Sequence, residues 1–448
     1  MESLDLPDGW RWRRLGSVTA PISEKVSPAD APDANYIGLE HIEAHSRRVL
    51  GRGSGRDVRS EKVAFRAGDL LYGKLRPYLN KVALPDFDGI ASTDILVFQD
   101  TADLTVEYLA RVMNSNAFVQ FAHQSSAGME LPRTSWKSLS QFELAVPPLP
   151  EQRRIVQRLA AVEERRTTAR DNLNRARGLL TNYRQAVLVA ACSGRLTADW
   201  RLEHSEAPTV ADALVRLGER LVKSRKKSAG DGPELDLPEL PETYVLSTVR
   251  QASVLLEYGT SRKAASTSSG VPMLRMGNIQ DGLLETSDLK YCPLDEEVQS
   301  LLLADGDLLF NRTNSPQLVG KSAVFHDPGT MTFASYLIRV RFASDVAEPD
   351  FVNYWLNSAW GRAWARGVKT DGVSQSNING TKLGAMPLPL PPIDEQREIV
   401  RRVRELLRVS RNGLGQIDAA SQHLDRVGQA ILAKALRGKL AQAATADA

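Results

Sequence analysis

The sequence predicts an α+β protein built as an internal pseudo-two-fold repeat, in which two mixed α/β domains are joined by two long coiled-coil helices. Three observations predict it. PPLPEQRRIV at Pro147 to Val156 returns as PPIDEQREIV at Pro391 to Val400, 244 residues later. After each copy runs an unbroken 4,3 spacing of apolar and small residues, the a/d seam of a coiled coil. Before each copy lie short apolar segments bounded by Gly, Asp and Pro, which read as strands and turns mixed with short helices.

Residues 1–146 form the first domain. Leu6-Pro7 and Trp10 lead in, Asp69 to Tyr72 and Ile95 to Phe98 read as strands, and Val106 to Phe121 carries a helical pattern. Residues 147–200 hold the first long helix. Pro147-Pro148 separate it from the domain before it. Its seam is Ile155, Leu159, Val162, Arg166, Ala169, Leu173, Ala176, Leu180, Tyr183, Val187 and Ala190, with Arg166 the sole charged member. A run of about 40 residues spans roughly 60 Å. So narrow a stripe must be covered by another helix, and the second copy is the obvious cover; packing on its own domain is the alternative.

Residues 201–241 read as a linker, with a short helix at Ala211 to Val222 and solvated segments at Lys223 to Lys227 and Gly230 to Pro233. Residues 242–390 form the second domain. Leu240-Pro241 and Tyr244 lead into it, Asp307 to Phe310 and Tyr336 to Val340 read as strands, and Phe351 to Trp364 is helical. Residues 391–440 hold the second long helix, with seam residues Ile399, Val403, Leu406, Ser410, Gly413, Ile417, Ala420, Leu424, Val427 and Ile431, and residues 441–448 are a tail. The polar interruption falls at the equivalent place, Ser410 for Arg166.

The offset between copies is not constant. It is 234 at the lead-in, 238 at Gly68-Asp-Leu-Leu against Gly306-Asp-Leu-Leu, 243 at Asn114-Ser115 against Asn357-Ser358, and 244 from the proline motif through Tyr183–Leu196 and Val427–Leu440. The domains therefore tolerate insertions while the helices keep a fixed length. Fixed length implies that their geometry matters.

Composition narrows the function. The chain is 42% apolar and 25% charged, with no apolar run near the roughly 18 residues of a membrane span, and its first residues, MESLDLPDGW, are acidic and polar. A soluble cytoplasmic protein is expected. Cys192 and Cys292 lack CxxC partners and read as small apolar residues. The net charge of +3 is unevenly placed: residues 1–146 carry 17 basic and 19 acidic side chains, residues 242–390 carry 13 and 15, and the excess lies on the two helical regions. Nucleic-acid binding must then rest on local patches or on partners.

Catalytic motifs are missing. Gly320-Lys321-Ser322 is preceded by Ser315-Pro316 where a P-loop needs glycine and free backbone N–H groups. No GxGxxG follows a strand, and His41, His45, His123, His204, His326 and His423 show no zinc spacing. Asp281 with Asp288-Leu-Lys290 has no counterpart in the first copy. No catalytic residue, metal site or cofactor is expected. Local basic patches do exist: Arg47, Arg48, Arg52, Arg56, Arg59 and Lys62 in a glycine-rich stretch, Lys74 and Arg76 after the first repeated strand, and Asn311, Arg312, Thr313 and Asn314 after the second. Arg and Asn pair bidentately with guanine and adenine edges. Of these, Arg47, Arg48, Arg52, Lys74, Arg76, Asn311, Arg312, Thr313 and Asn314, together with Arg275, Gln375 and Asn377, are the candidate DNA-contacting set, and each also reads as a solvated surface residue.

With both EQR motifs, the seam helices, the Gln-Ala segments ending in Gly-basic-Leu and the Gly-Asp-Leu-Leu strands in view, the whole chain closely resembles the specificity subunits of type I restriction-modification enzymes. The resemblance implies two target recognition domains, each reading one half of a bipartite double-stranded DNA sequence. It implies that the two helices pack antiparallel as a spacer on which modification subunits dock, two per chain. Those subunits supply S-adenosylmethionine chemistry, and separate restriction subunits supply ATP-driven translocation and cleavage. Arg153, Arg154, Arg397 and Arg401 are the expected docking residues. Two alternatives stay open: a coiled-coil scaffold that binds only protein, and a subunit with its own nuclease or methyltransferase site.

Overall fold

The computed structural model describes residues 6–128, 130–221, 236–266, 269–327, 329–372 and 375–440. The segments Lys223 to Lys227 and Gly230 to Pro233 and the tail 441–448 lie outside the described residues. The chain divides into two compact units, one of residues 1–175 with 417–448 and one of residues 176–416. Each unit therefore combines one α/β domain with half of each long helix.

In the first unit, Arg11–Arg14 pairs antiparallel with Glu143–Val146. An antiparallel sheet runs Val82–Ala83, Leu70–Gly73, Ile95–Phe98, and a five-stranded sheet runs Lys25–Val26, Lys62–Phe65, Gly89–Ala91, Asn35–Ile37, Gly53–Ser54. The second unit repeats the plan. Val245–Thr248 pairs with Pro387–Leu390, a four-stranded sheet runs Ser253–Tyr258, Leu337–Phe342, Leu308–Asn311, Ser322–Val324, and a three-stranded one runs Lys290–Cys292, Val271–Leu274, Thr332–Phe333.

The Gly-Asp-Leu-Leu repeat has a local cause. Gly68 and Gly306 sit at φ +89° and +82°, which glycine adopts without a Cβ clash. The following aspartates close the turn on the N–H three residues back: Asp69 accepts from Arg66 at 2.8 Å and Asp307 from Ala304 at 2.9 Å. Each turn delivers a fully buried strand.

The helical stretch expected at Val106 to Phe121 is two helices, Val106–Met113 and Asn116–Gln124, and its counterpart is Pro349–Asn357 and Ala359–Val368. The repeated Asn-Ser is the break. Ser115 and Ser358 are extended N-cap residues whose hydroxyls accept from Phe118 and Gly361 N–H, restarting the helix.

The long helices run Leu149–Cys192 and Ile393–Ala435, 44 and 43 residues. In the first unit they pair antiparallel: Arg158 donates to the Leu440 carbonyl at 3.2 Å and Arg166 to the Leu424 carbonyl at 3.2 Å. In the second unit the same sense holds, with Ser410 donating to the Leu180 carbonyl at 3.4 Å and Arg402 to the Leu196 carbonyl at 2.9 Å. The two polar seam positions thus make the same contact, since Leu180 and Leu424 are themselves repeat equivalents. Every seam residue except Tyr183 is buried or half-buried. No described helix is long and apolar enough to cross a membrane.

The EQR motif fixes each helix to its domain. Gln152 is fully buried; its amide donates to the Asp103 and Pro147 carbonyls at 2.8 and 2.9 Å, and its oxygen accepts from the Thr105 N–H at 2.9 Å. Gln396, equally buried, donates to the Val346 and Pro391 carbonyls at 3.0 and 2.9 Å and accepts from Glu348 N–H at 2.8 Å. The closing glycines account for the lead-in repeat. A Cβ on Gly438 would meet Pro7 at 2.4 Å, and one on Gly194 would meet Pro241 at 2.7 Å, both at positive φ.

Candidate nucleic-acid interface

In the second unit the buried strand Leu308–Asn311 emerges into Thr313–Asn314, which pairs antiparallel with Ser376–Asn377, itself paired with Thr370–Asp371. Two candidate segments far apart in sequence thereby become neighbours. Arg312 is held on several sides: its N–H donates to the Tyr336 carbonyl at 3.0 Å, its carbonyl accepts from Ile378 at 2.9 Å, and its guanidinium lies 4.8 Å from the Tyr258 ring centre. Tyr258 is fixed in turn, its hydroxyl accepting from Gly380 N–H at 2.7 Å. Asn377 donates to the Thr313 hydroxyl at 2.8 Å. The exposed rings of Tyr258 and Tyr336 belong to the same surface, and no sequence signal marked them.

The other candidates of this unit are placed differently. Asn311 is buried, its amide 3.4 Å from the Met276 carbonyl, so it faces the interior. Asn314 accepts from the Ser315 N–H and is half-buried. Arg275 is half-buried and paired with Asp288 at 3.2 Å. Gln375 is exposed on the hairpin.

The first unit builds the same apex from different side chains. Lys74 follows the strand Leu70–Gly73, donates its N–H to the Asp94 carbonyl at 2.8 Å and accepts from Thr134 at 3.0 Å. Leu75 bridges to Arg133, and Arg133 to Ala127. Burial pushes the Lys74 ammonium down; Asp94 opposes that shift and Arg133 adds to it. Arg76 is exposed at φ +48° and donates its N–H to the Pro132 carbonyl at 2.7 Å. Arg133 was not among the candidates. It lies 244 residues before Asn377, which is the signal that could have found it.

The glycine-rich basic stretch does not act as one patch. Arg47 and Arg111 both bind Glu163 of the first long helix. Burial pushes the Glu163 carboxyl up, but the two arginines outweigh it and hold it below the usual carboxylate range. Arg52 sits 5.0 Å over the Phe87 ring, Arg56 pairs with Asp33 at 2.7 Å, and Lys62 is buried with its ammonium on Ser60. Arg48 remains largely open, with 75% of its side chain exposed.

Of the expected docking residues, Arg153 is exposed, Arg154 pairs with Glu151 at 2.8 Å, Arg397 with Asp394 at 2.9 Å, and Arg401 with Glu398 and Glu405 at 2.8 and 3.0 Å. Among the described residues no group of three or more His, Cys, Asp or Glu could hold a metal ion.

Comparison with known proteins bears on this arrangement. Residues 7–175 match the type I restriction modification DNA specificity domain. The chain is 32% identical to the Escherichia coli type I restriction enzyme EcoDI specificity subunit over 50% of its length and 51% of that protein's. It is 27% identical to the EcoKI specificity subunit of Escherichia coli K12 over 79% of its length and 68% of that protein's. The matched stretch thus spans about half of the EcoDI subunit. A chain solved in a study of complex assembly and conformational transition of the type I R-M system shares the fold, with a TM-score of 0.69, 22% identity and coverage of 97% and 99%. The matched domain spans the first α/β region and much of the first long helix, and the second unit repeats that plan, so over both units the chain is similar to type I restriction-modification specificity subunits.

Proposed function

We propose that this chain is the DNA sequence-recognition subunit of a type I restriction-modification complex. Each α/β domain reads one half of a bipartite double-stranded target, and the paired helices set the separation of the halves and dock two methyltransferase subunits. Restriction and translocase subunits complete the assembly, and the chain itself performs no chemistry. One observation carries the reading: the same apex, a buried strand emerging against a hairpin, recurs in both units with different polar side chains, Lys74 and Arg133 in one and Arg312 and Asn377 in the other. Equivalent scaffolds presenting unlike donors and acceptors suit two different half-sites.

Sequencing methylated bases in DNA from cells expressing the chain with its modification subunit tests this. A bipartite modified motif is the expected result. Unmodified DNA from an assembled complex would overturn it. Charge reversal at Arg153 and Arg154 is expected to weaken co-purification of modification subunits, and undiminished co-purification removes those residues from the docking surface.

A further inference from the structure

Resting on the recognition role proposed above, we infer that Arg133 is a specificity-determining residue, reading a guanine in the first half-site at the structural position where Asn377 reads an adenine in the second. The two residues occupy one place in the repeat. Arg133 bridges Leu75 on one side and Ala127 on the other, and Asn377 pairs with Thr313 on one side and Thr370 on the other. Lys74 and Arg312, the residues before those partners, each accept the N–H of the residue after the bridge, Thr134 at 3.0 Å and Ile378 at 2.9 Å.

The equivalence also accounts for the last step in the repeat offset. Ala127 and Thr370 are 243 apart, whereas Arg133 and Asn377 are 244 apart. The extra residue of the second copy therefore falls within the hairpin loop, beside this position. Such a loop can vary while its base stays in register.

Both side chains are aimed by a neighbour. Arg133 is 2.5 Å from Asp94 with 55% of its side chain exposed, and the Asn377 amide is held by Thr313. A guanidinium has five N–H donors, so the carboxylate orients it without consuming its capacity to form a bidentate pair. Arginine matches the two acceptors of guanine in the major groove, and asparagine matches the acceptor and donor of adenine. The bases follow from those geometries.

The test uses the full chain assembled with its modification subunit, with the modified motif read by methylation-sensitive sequencing. Wild type is expected to show guanine in the first half-site and adenine in the second. Arg133→Asn is expected to change the preferred base at one position of the first half-site and to leave the second half untouched; Asn377→Arg does the reverse. Arg133→Lys keeps the charge facing Asp94 but lacks the fork. It is expected to preserve assembly and the melting temperature while losing roughly tenfold discrimination at that one position.

An unchanged motif in Arg133→Asn or Arg133→Lys overturns the inference while leaving the recognition role standing. Arg133→Lys also decides the matter should Arg133→Asn fail to assemble. A lowered melting temperature with unaltered discrimination would mark a purely structural pair with Asp94. Absence of any bipartite motif in wild type would instead overturn the recognition role itself.

Discussion

Gln152 and Gln396 show how much one buried side chain can fix. Each satisfies two carbonyls and at least one N–H at the point where a domain meets its helix. Gln396→Ala strands those backbone groups without water, which costs about 2–3 kcal/mol. The expected result is a melting temperature lower by roughly 4–12 °C for a unit of this size, read by calorimetry. Gln396→Glu is expected to be worse, because it sets a carboxylate against two carbonyl oxygens.

His326 makes a second prediction at this scale. Its ring nitrogens lie 2.9 Å from Asp305 and 2.9 Å from Asp350, and Asp350 also accepts from Arg404 at 2.6 Å. The hydrogen bond to Asp350 raises the imidazole to about 9, against the opposing effect of burial. Burial pushes the Asp350 carboxyl up, but His326 and Arg404 outweigh it and hold it low. The imidazolium is favoured by folding, so its contribution is complete below the ordinary histidine value of about 6.5. That contribution is lost as pH rises through about 9. The carboxylate contribution is present above the ordinary aspartate value and disappears as pH falls. The stability gap between wild type and His326→Gln is therefore expected to be widest from about pH 4 to 6.5 and to close in alkali. A gap that widens on raising the pH through 9 would contradict the assignment.

At the scale of elements, strong period and repeated punctuation made parts of the fold legible. The strands at Leu70 and Leu308 lie within one residue of their expected positions, because Gly-Asp closes a turn by local hydrogen bonds. The seam was legible for a similar reason: a 4,3 spacing sustained over many turns suits a long helix covered by a second helix and little else. The helix break at Ser115 and Ser358 was masked by apolar residues that keep their period across the cap. The hairpin bearing Arg133 carried no local pattern: its single bridge to Leu75, like the two-residue pairing of Asn377 with Thr313, depends on a partner about 60 residues away, and only the repeat offset marks the position. Side-chain type alone marks Asn311 and Arg47 as base readers, yet packing turns the first inward and binds the second to Glu163.

The seam carries its own prediction. Inserting seven residues after Leu173 and after its equivalent Ile417 preserves the 4,3 spacing in both helices and lengthens each by about 10 Å. The modified motif is expected to keep both half-site sequences and to gain about three base pairs between them, at roughly 3.4 Å per pair. A changed half-site sequence in that insertion variant would refute the spacer role.

At the scale of the whole molecule, the two units differ in how the chain supplies them. The second is contiguous, residues 176–416, and its core draws only on that stretch. The first draws on both ends: Ala435 is fully buried in a cluster with Trp10, Leu144 and Ile155, and Ile431, Leu432, Leu436 and Leu440 pack against it. Arg166 also has its carbonyl partner at Leu424 and Arg170 its carboxylate at Asp425. A polypeptide of residues 176–416 is therefore expected to unfold cooperatively by itself. Residues 1–175 alone expose the face that Ala435 covers, and burial of apolar area at about 25 cal/mol per Å² is the main term lost. That fragment is expected to bind a hydrophobic dye and to melt without a sharp transition. Adding a peptide of residues 417–440 in trans is expected to restore a cooperative transition, and a fragment that melts sharply without the peptide would show that the first domain needs no closure by the far end of the chain.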